Sequence, residues 1–260
     1  YSRQILLPEF DIEGQERLRQ AHVLLIGLGG LGSAVAMYLA AAGVGMLTLV
    51  DFDTVDLSNL QRQIIHRTTA IGQAKVESAR DTLLALNPLI SVATIQKSLD
   101  DAELLEQIQQ ADVVVDASDN WPTRRAINAA CVKSGKSLVS GAAIRWEGQV
   151  LVWRPDGEGG CYRCLYRDAV MNSETCAQTG VLAPVVGVIG SLQAVEAIKI
   201  LTGIGETLNG RLLLFDAKHM EWRTMNLRRW LECPVCRAEE RWAINRNCSL
   251  TAGKSLMGTG

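Results

Sequence analysis

Two rhythms of apolar and polar positions alternate through the first 140 residues. Residues 23–26 are a continuous apolar run that stops at Gly27, residues 33–42 are rich in alanine, and residues 46–50 are apolar again. The order reads strand, helix, strand. Residues 73–86 carry apolar side chains at helical spacing and stop at Asn87-Pro88, after which 90–95 reads as a strand and 102–108 as a helix. An apolar run at 113–115 ends in Asp116, residues 121–134 read as a helix closed by Gly135, and residues 137–139 are strand-like. Continuous runs, unlike alternating ones, suit strands covered on both faces. The pattern therefore predicts an α/β fold with a doubly wound, mostly parallel sheet.

The character changes beyond Gly148. Residues 149–153 read as a strand, followed by a glycine-rich turn and a Cys-x-x-Cys pair. Residues 166–183 lack periodicity, which marks a functional or mobile loop, because structureless stretches of that length are uncommon in compact domains. Pro184 suits the first turn of a helix reaching Leu201 and ending near Gly203. Residues 211–215 and 221–227 look like a closing hairpin, so the sheet is expected to be extended by a C-terminal antiparallel portion. Residues 237–260 finish in a Gly/Ser/Thr-rich stretch and read as a disordered tail.

Bulk composition narrows the function classes. A net charge of -2 offers no global field for nucleic acid or an anionic membrane, so neither is expected as a partner. The longest apolar run, 181–192, is broken by Pro184, Gly187 and Gly190 and is too short to span a bilayer. Seven cysteines are an odd count, and the chain opens without a signal-peptide pattern. Thiols or metal ligands are expected rather than disulfides, and a cytoplasmic location with them. The chain begins at Tyr1 rather than Met, so a few residues are expected ahead of it.

Between the first strand and helix lies Gly27-Leu28-Gly29-Gly30-Leu31-Gly32. Glycines in the order G-x-G-x-x-G there allow a tight turn and a close backbone approach to phosphate, with a helix N-terminus aimed at the anion. The setting is Rossmann-like. Asp51 ends the next strand, where a carboxylate accepts from ribose hydroxyls; its plain alternative is a strand-end turn residue. An ATP site also needs cations for the triphosphate and a carboxylate for Mg²⁺. Arg62 and Lys75 supply the cations, Asn59 a hydrogen-bonding side chain, and Asp119 lies at a strand's C-terminal end. Taken singly, Arg62 and Lys75 read as solvated charges and Asp119 as a helix cap.

Cys161-Tyr162-Arg163-Cys164 and Cys233-Pro234-Val235-Cys236 have the spacing that points both sulfurs of a pair at one ion. Four thiolates make a closed, structural Zn²⁺ site without an open position for chemistry, with two disulfides or a redox pair as alternatives. Cys131 reads as a core residue and Cys248 as incidental. His22, His66 and His219 have no ligand-like spacing and are given no catalytic role.

Together these segments resemble the MoeB/ThiF family, adenylyltransferases that activate ubiquitin-like sulfur-carrier proteins and are related to ubiquitin-activating enzymes. The matching residues are 2–5, the glycine turn, 51–53, Ser58-Asn59-Leu60-Gln61-Arg62-Gln63, Asp119-Asn120, 140–145 and both thiol pairs, in family order from residue 1 to about 236. The resemblance implies that Gly30 and Asp51 hold the adenosine part of ATP, within a nucleotide site that also takes in Ser58, Leu60, Gln61 and Asn120. It further implies that Asn59, Arg62 and Lys75 position the phosphates and that Asp119 holds Mg²⁺. Arg3 matches an arginine that reaches the neighbouring subunit's ATP, which implies a homodimer. Residues 1–236 would form one adenylating domain, with a nucleotide-binding half at 1–140 and a carrier-binding and zinc half at 141–236.

The activity implied is ATP-dependent adenylation of the carrier's C-terminal Gly-Gly carboxylate, on the molybdopterin side. In the thiamine branch a cysteine matching Cys176 forms an acyl-persulfide link to the carrier, which is the alternative reading. No sulfurtransferase-like extension follows Cys236, so a separate sulfurtransferase or cysteine desulfurase is expected. An NAD-dependent oxidoreductase would explain the glycine turn but leave Arg62, Lys75 and the paired cysteines without a joint purpose, and intact candidates at every nucleotide-contact position argue against a non-catalytic scaffold.

Overall fold

The computed structural model describes residues 1–167 and 179–237. The chain runs through α1 (Ser2–Ile5), α2 (Asp11–Gln20), β1 (His22–Ile26), α3 (Gly30–Ala42), β2 (Met46–Val50), α4 (Lys75–Leu86), β3 (Ser91–Ile95) and α5 (Asp101–Gln110). It continues through β4 (Val113–Asp116), α6 (Trp121–Ser134), β5 (Ser137–Ile144), β6 (Glu147–Trp153), α7 (Tyr162–Leu165), α8 (Ala183–Thr202), β7 (Arg211–Asp216) and β8 (Glu221–Asn226). One eight-stranded sheet results, in the order β3-β2-β1-β4-β5-β6-β7-β8. β1 to β5 pair in parallel, and β5 to β8 are successive antiparallel neighbours. The strand order reverses between β1 and β4. A doubly wound sheet opens its crevice at the C-terminal ends of the strands at that point.

Helices cover both faces, as the continuous strands require. α3 and α8 bury Val35, Leu39, Val185 and Ile189 against Leu25, Val115 and Val139 on one side. On the other, α5 and α6 bury Leu104, Ile108, Ile127 and Cys131 against Leu24, Val114 and Leu138. α8 is long and apolar enough to cross a membrane by length and composition, but half of it is buried in this core. Its Gly190 is what lets it cross α3 closely, since a Cβ there would lie 2.4 Å from the Leu31 carbonyl oxygen.

Helix ends follow the expected chemistry. Asp100 caps α5 through the amides of Ala102 and Glu103, and Gly135 and Gly203 close α6 and α8 in the left-handed conformation. β5 runs five residues past the expected end at 139, because residues up to Ile144 pair antiparallel with β6, and small Gly141 leaves room there for the Gln193 carboxamide of α8. α1, α2 and α7 were not expected from the pattern. α2 buries only Gly14, Gln15 and Leu18, and a single large apolar side chain leaves no periodicity to read. Within the aperiodic stretch 166–183, residues 168–178 lie outside the described residues, and Cys176 with them. The expected tail lies outside them beyond Arg237, together with Cys248.

Candidate nucleotide and metal sites

Each glycine of the turn has its own steric reason. Gly27 adopts φ +94°, and a Cβ on it would lie 2.7 Å from the Ala117 carbonyl oxygen after β4. On Gly32 a Cβ would lie 1.9 Å from the Gly27 oxygen, so α3 can leave the turn closely only without a side chain. A Cβ on Gly30 would meet Val186 of α8 at 2.6 Å. Gly29 is the open member, with its nearest neighbour, Gln63 Nε2, 3.8 Å from a notional Cβ.

Asp51 ties this turn to β2. Its Oδ2 accepts from the Leu28 amide at 2.7 Å and its Oδ1 from the Asp53 amide at 2.9 Å. Burial pushes the Asp51 carboxyl above its ordinary range, and Lys75 opposes that rise. Lys75 is the first residue of α4, whose N-cap, Ala74, offers no side-chain oxygen. A cation there stands against the helix dipole. Its side chain is 7% exposed and pairs through Nζ with Asp53 Oδ2 at 2.8 Å. A buried cation at a helix N-terminus is a place where a bound anion would be stabilised.

A cavity of about 600 Å³ opens here, lined in part by Gly27, Gly29, Gly30, Asp51, Asn59, Arg62, Lys75, Asp119 and Asn120. Asp56 caps the turn at Leu57–Asn59, and Asn59 Oδ1 returns to the Asp56 amide at 3.3 Å. Arg62 donates to the Ser58 carbonyl at 3.2 Å, which leads its side chain back along that turn. Ser58, Leu60 and Gln61 are not among the residues lining the cavity; the Ser58 hydroxyl donates to Asp56 at 2.6 Å. Arg3 is exposed in α1 and lies outside its own chain's cavity. Asn120, rather than Asp119, caps α6 by accepting from the Thr123 amide at 3.0 Å. Asp119 is thereby left without the capping duty that its position allowed.

Two buried side chains given no role from sequence support this cavity. His66 Nε2 lies 3.2 Å from the Leu28 carbonyl oxygen and Nδ1 3.0 Å from the Ser78 hydroxyl. A carbonyl only accepts, so Nε2 carries the proton and Nδ1 accepts from Ser78. Burial holds the His66 pKa below its ordinary value, against the pull of that carbonyl. Gln63 is buried in the cavity wall, its Oε1 without a hydrogen-bond partner among the described residues. Neither has spacing that marks it in the sequence.

A second cavity, of about 570 Å³, adjoins the first. Leu31, Ser118, Asp119 and Ala143 line both. Trp121, Tyr162 and Tyr166 form one wall, with ring centroids 5.0 to 5.4 Å apart, and the antiparallel strands β6 to β8 supply much of the rest. Behind the junction, buried Asp116 accepts from the Ser118 amide at 3.0 Å and from the Ser140 hydroxyl at 2.8 Å. Gln193 of α8 donates to the Asp116 carbonyl at 2.8 Å. The end of β4 is thus held from three directions.

The four paired cysteines converge. Cys161, Cys164, Cys233 and Cys236 are all buried, with their sulfurs within 4.8 Å of one another. The Cys161–Cys233 and Cys164–Cys236 separations are 3.9 Å and 3.4 Å. Tetrahedral Zn²⁺ with bonds of about 2.3 Å needs sulfur edges of about 3.8 Å, so the residues fit the ion. Asn128 Nδ2 donates to Cys161 Sγ at 3.6 Å and the Trp230 amide to Cys164 Sγ at 3.4 Å, which are donors suited to thiolates. Cys131 is buried in the core.

A reversed strand order, a glycine turn on a helix N-terminus and buried charge beside it define an α/β protein of the nucleotide-binding class, with a cysteine cluster whose geometry suits a metal ion. The chain belongs to the ThiF family, whose model matches residues 1–235. It is 53% identical over 237 residues to a molybdopterin-synthase adenylyltransferase of Escherichia coli K12, covering 91% of this chain and 95% of that one. It is 49% identical over 236 residues to the sulfur carrier protein ThiS adenylyltransferase of the same organism, covering 91% and 94%. Among solved structures, Escherichia coli MccB with ATP superposes with a TM-score of 0.78 at 26% identity, covering 86% of this chain and 68% of MccB.

Proposed function

We propose that the protein adenylates the C-terminal Gly-Gly carboxylate of a ubiquitin-like sulfur-carrier protein of the molybdopterin-synthase small-subunit type. The observation that carries this reading is the pair of cavities sharing Ser118 and Asp119. One is suited to a nucleotide and the other to an incoming chain, and they meet where the two would react.

A carboxylate oxygen of the carrier attacks the α-phosphorus of ATP. The bond from that phosphorus to the oxygen bridging to the β-phosphate breaks, and pyrophosphate leaves. The carboxylate is already ionised near neutral pH, so no general base is needed. Catalysis reduces to positioning and charge neutralisation. In this reading Asp51 and Gly30 hold the adenosine, and Asn59, Arg62 and Lys75 position the phosphates. Lys75 exchanges its pairing with Asp53 for a phosphate oxygen. Asp119 would hold Mg²⁺, which neutralises phosphate charge when bound. Arg3 would act on the neighbouring subunit's ATP, so the working enzyme is a homodimer. The four cysteines would hold one structural Zn²⁺ that ties the carrier-binding half, 141–236, to the nucleotide half, 1–140. The sulfur would come from a separate sulfurtransferase or cysteine desulfurase in the cytoplasm.

The similarity to a ThiS adenylyltransferase supports a second reading, a thiamine-branch carrier with Cys176 forming an acyl-persulfide link. ATP–pyrophosphate exchange with each carrier in turn tests both. Exchange is expected only with a Gly-Gly-ending carrier, and most rapidly with the molybdopterin type. No exchange with any carrier, alongside tight NAD(H) binding, would favour an oxidoreductase instead. Intact mass of Cys176→Ala after incubation with the thiamine carrier and a sulfur donor assigns the loop thiol.

A further inference from the structure

The second cavity is lined by a buried cation that makes no salt bridge among the described residues. Arg124 of α6 is 7% exposed and contributes to that cavity's wall. Its Nη2 donates to the Ser118 carbonyl, whereas Nη1 has no acceptor among the described residues. Asp116 is the acid whose charge it feels, but Ser118 and Ser140 already occupy both oxygens of that carboxylate. The Tyr162 hydroxyl beside the guanidinium carries no compensating charge. Burial opposes the guanidinium's charge and Asp116 supports it, and an arriving anion would add to that support.

Charge along the cavity is mixed. Near the β5–β6 and β7–β8 turns Glu221 pairs with Arg223 and Asp216 accepts from His219, beside exposed Glu147, while Asp119 and Arg124 lie at the Ser118 end. Of the two cations in this lining, Arg124 is the buried one. We infer that Arg124 recognises the terminal carboxylate of the carrier and holds it for attack on ATP. This rests on the adenylation reading above. One carboxylate oxygen accepts from the guanidinium while the other attacks the α-phosphorus. The held oxygen becomes the carbonyl oxygen of the acyl-adenylate, pyrophosphate leaves, and no proton is transferred. A plain structural role, holding Ser118 in place, would make no distinction between a carboxylate and a neutral chain end.

That distinction is the test. Calorimetry with a non-reactive ATP analogue compares a Gly-Gly-ending carrier with the same carrier ending in a carboxamide. The wild-type protein should bind the carboxylate form about tenfold or more tightly than the amide. Arg124→Gln should bind both alike, with affinity for the ATP analogue unchanged. In pyrophosphate exchange, Arg124→Gln should raise the KM for carrier while leaving the KM for ATP unchanged, and Arg124→Lys should recover part of the loss. Equal wild-type binding of the two carriers would overturn the inference, even if Arg124→Gln did not fold. So would an Arg124→Gln protein that kept the preference. If the wild type catalyses carrier-dependent exchange and either of these holds, only Arg124 is misassigned. Absence of exchange in the wild type overturns the adenylation reading and this inference with it.

Discussion

The parallel and antiparallel halves of the sheet assemble their sites by opposite means. In the parallel half Leu28 and Asp51, 23 residues apart, meet because one βαβ unit brings them together. In the antiparallel half Cys161 and Cys233 meet across 72 residues. Closing so long a loop costs more chain entropy, and a metal ion held by the four cysteines would help to close it. Activity and stability should therefore separate between the halves. A charge removed from the parallel half should abolish chemistry with the fold intact, while a thiol removed from the other should loosen the fold.

The largest expected effect is on activity. Arg62→Ala should lower carrier-dependent pyrophosphate exchange by about 100- to 1,000-fold, as losing a charge-stabilising donor does elsewhere. Its unfolding free energy should stay within about 0.5 kcal/mol of wild type, since Arg62 is a partly exposed side chain. Near-normal exchange would remove the phosphate-positioning role. Next comes Cys164→Ser, for which metal analysis should show loss of bound zinc and denaturant titration a large loss of stability. Retention of one zinc per chain with unchanged stability would erase the contrast between the halves.

Gly32→Ala probes the parallel half by steric means. Its methyl group would lie 1.9 Å from the Gly27 oxygen, so α3 must shift, with an expected cost of about 1–3 kcal/mol and weakened ATP binding. Unaltered calorimetric ATP affinity would show that the turn tolerates the shift. The smallest effect is a pH dependence. The folded-state pKa of His66 is depressed by burial, so the unfolded chain takes up its proton first as pH falls. Its contribution is complete above about pH 6.5, the unfolded value, and is lost as pH falls toward the folded one. Unfolding curves of wild type and His66→Gln should converge in that acidic window; a constant gap between them would exclude proton linkage at His66.

Much of the fold was legible because its strands are buried on both faces and its helices end at glycines. β1, β2 and β4 follow continuous apolar runs, and Gly135 and Gly203 stop their helices where expected. α2 was not legible, because one buried leucine makes no pattern. Within the site, Gly27, Asp51 and Lys75 were readable from order along the chain. Gln63, His66, Asp116 and Arg124 were not, because a polar residue in a helix or loop shows by its type alone neither that it is buried nor what it faces. The plain reading of Asp119 as a helix cap also needed coordinates, since Asn120 beside it is chemically as able to cap.

By itself, the sequence determined the alternation of strand and helix, the turn where only glycine fits, and the supply of two cations, carboxylates and four thiols. Those are properties of single residues and short spacings. Only the tertiary structure decided that two cavities adjoin at Ser118 and Asp119, that two thiol pairs 72 residues apart converge, and that Arg124 is enclosed with its Nη1 unpartnered among the described residues. Burial and the pairing of charges depend on what the rest of the chain packs around a residue, and no local pattern carries that information.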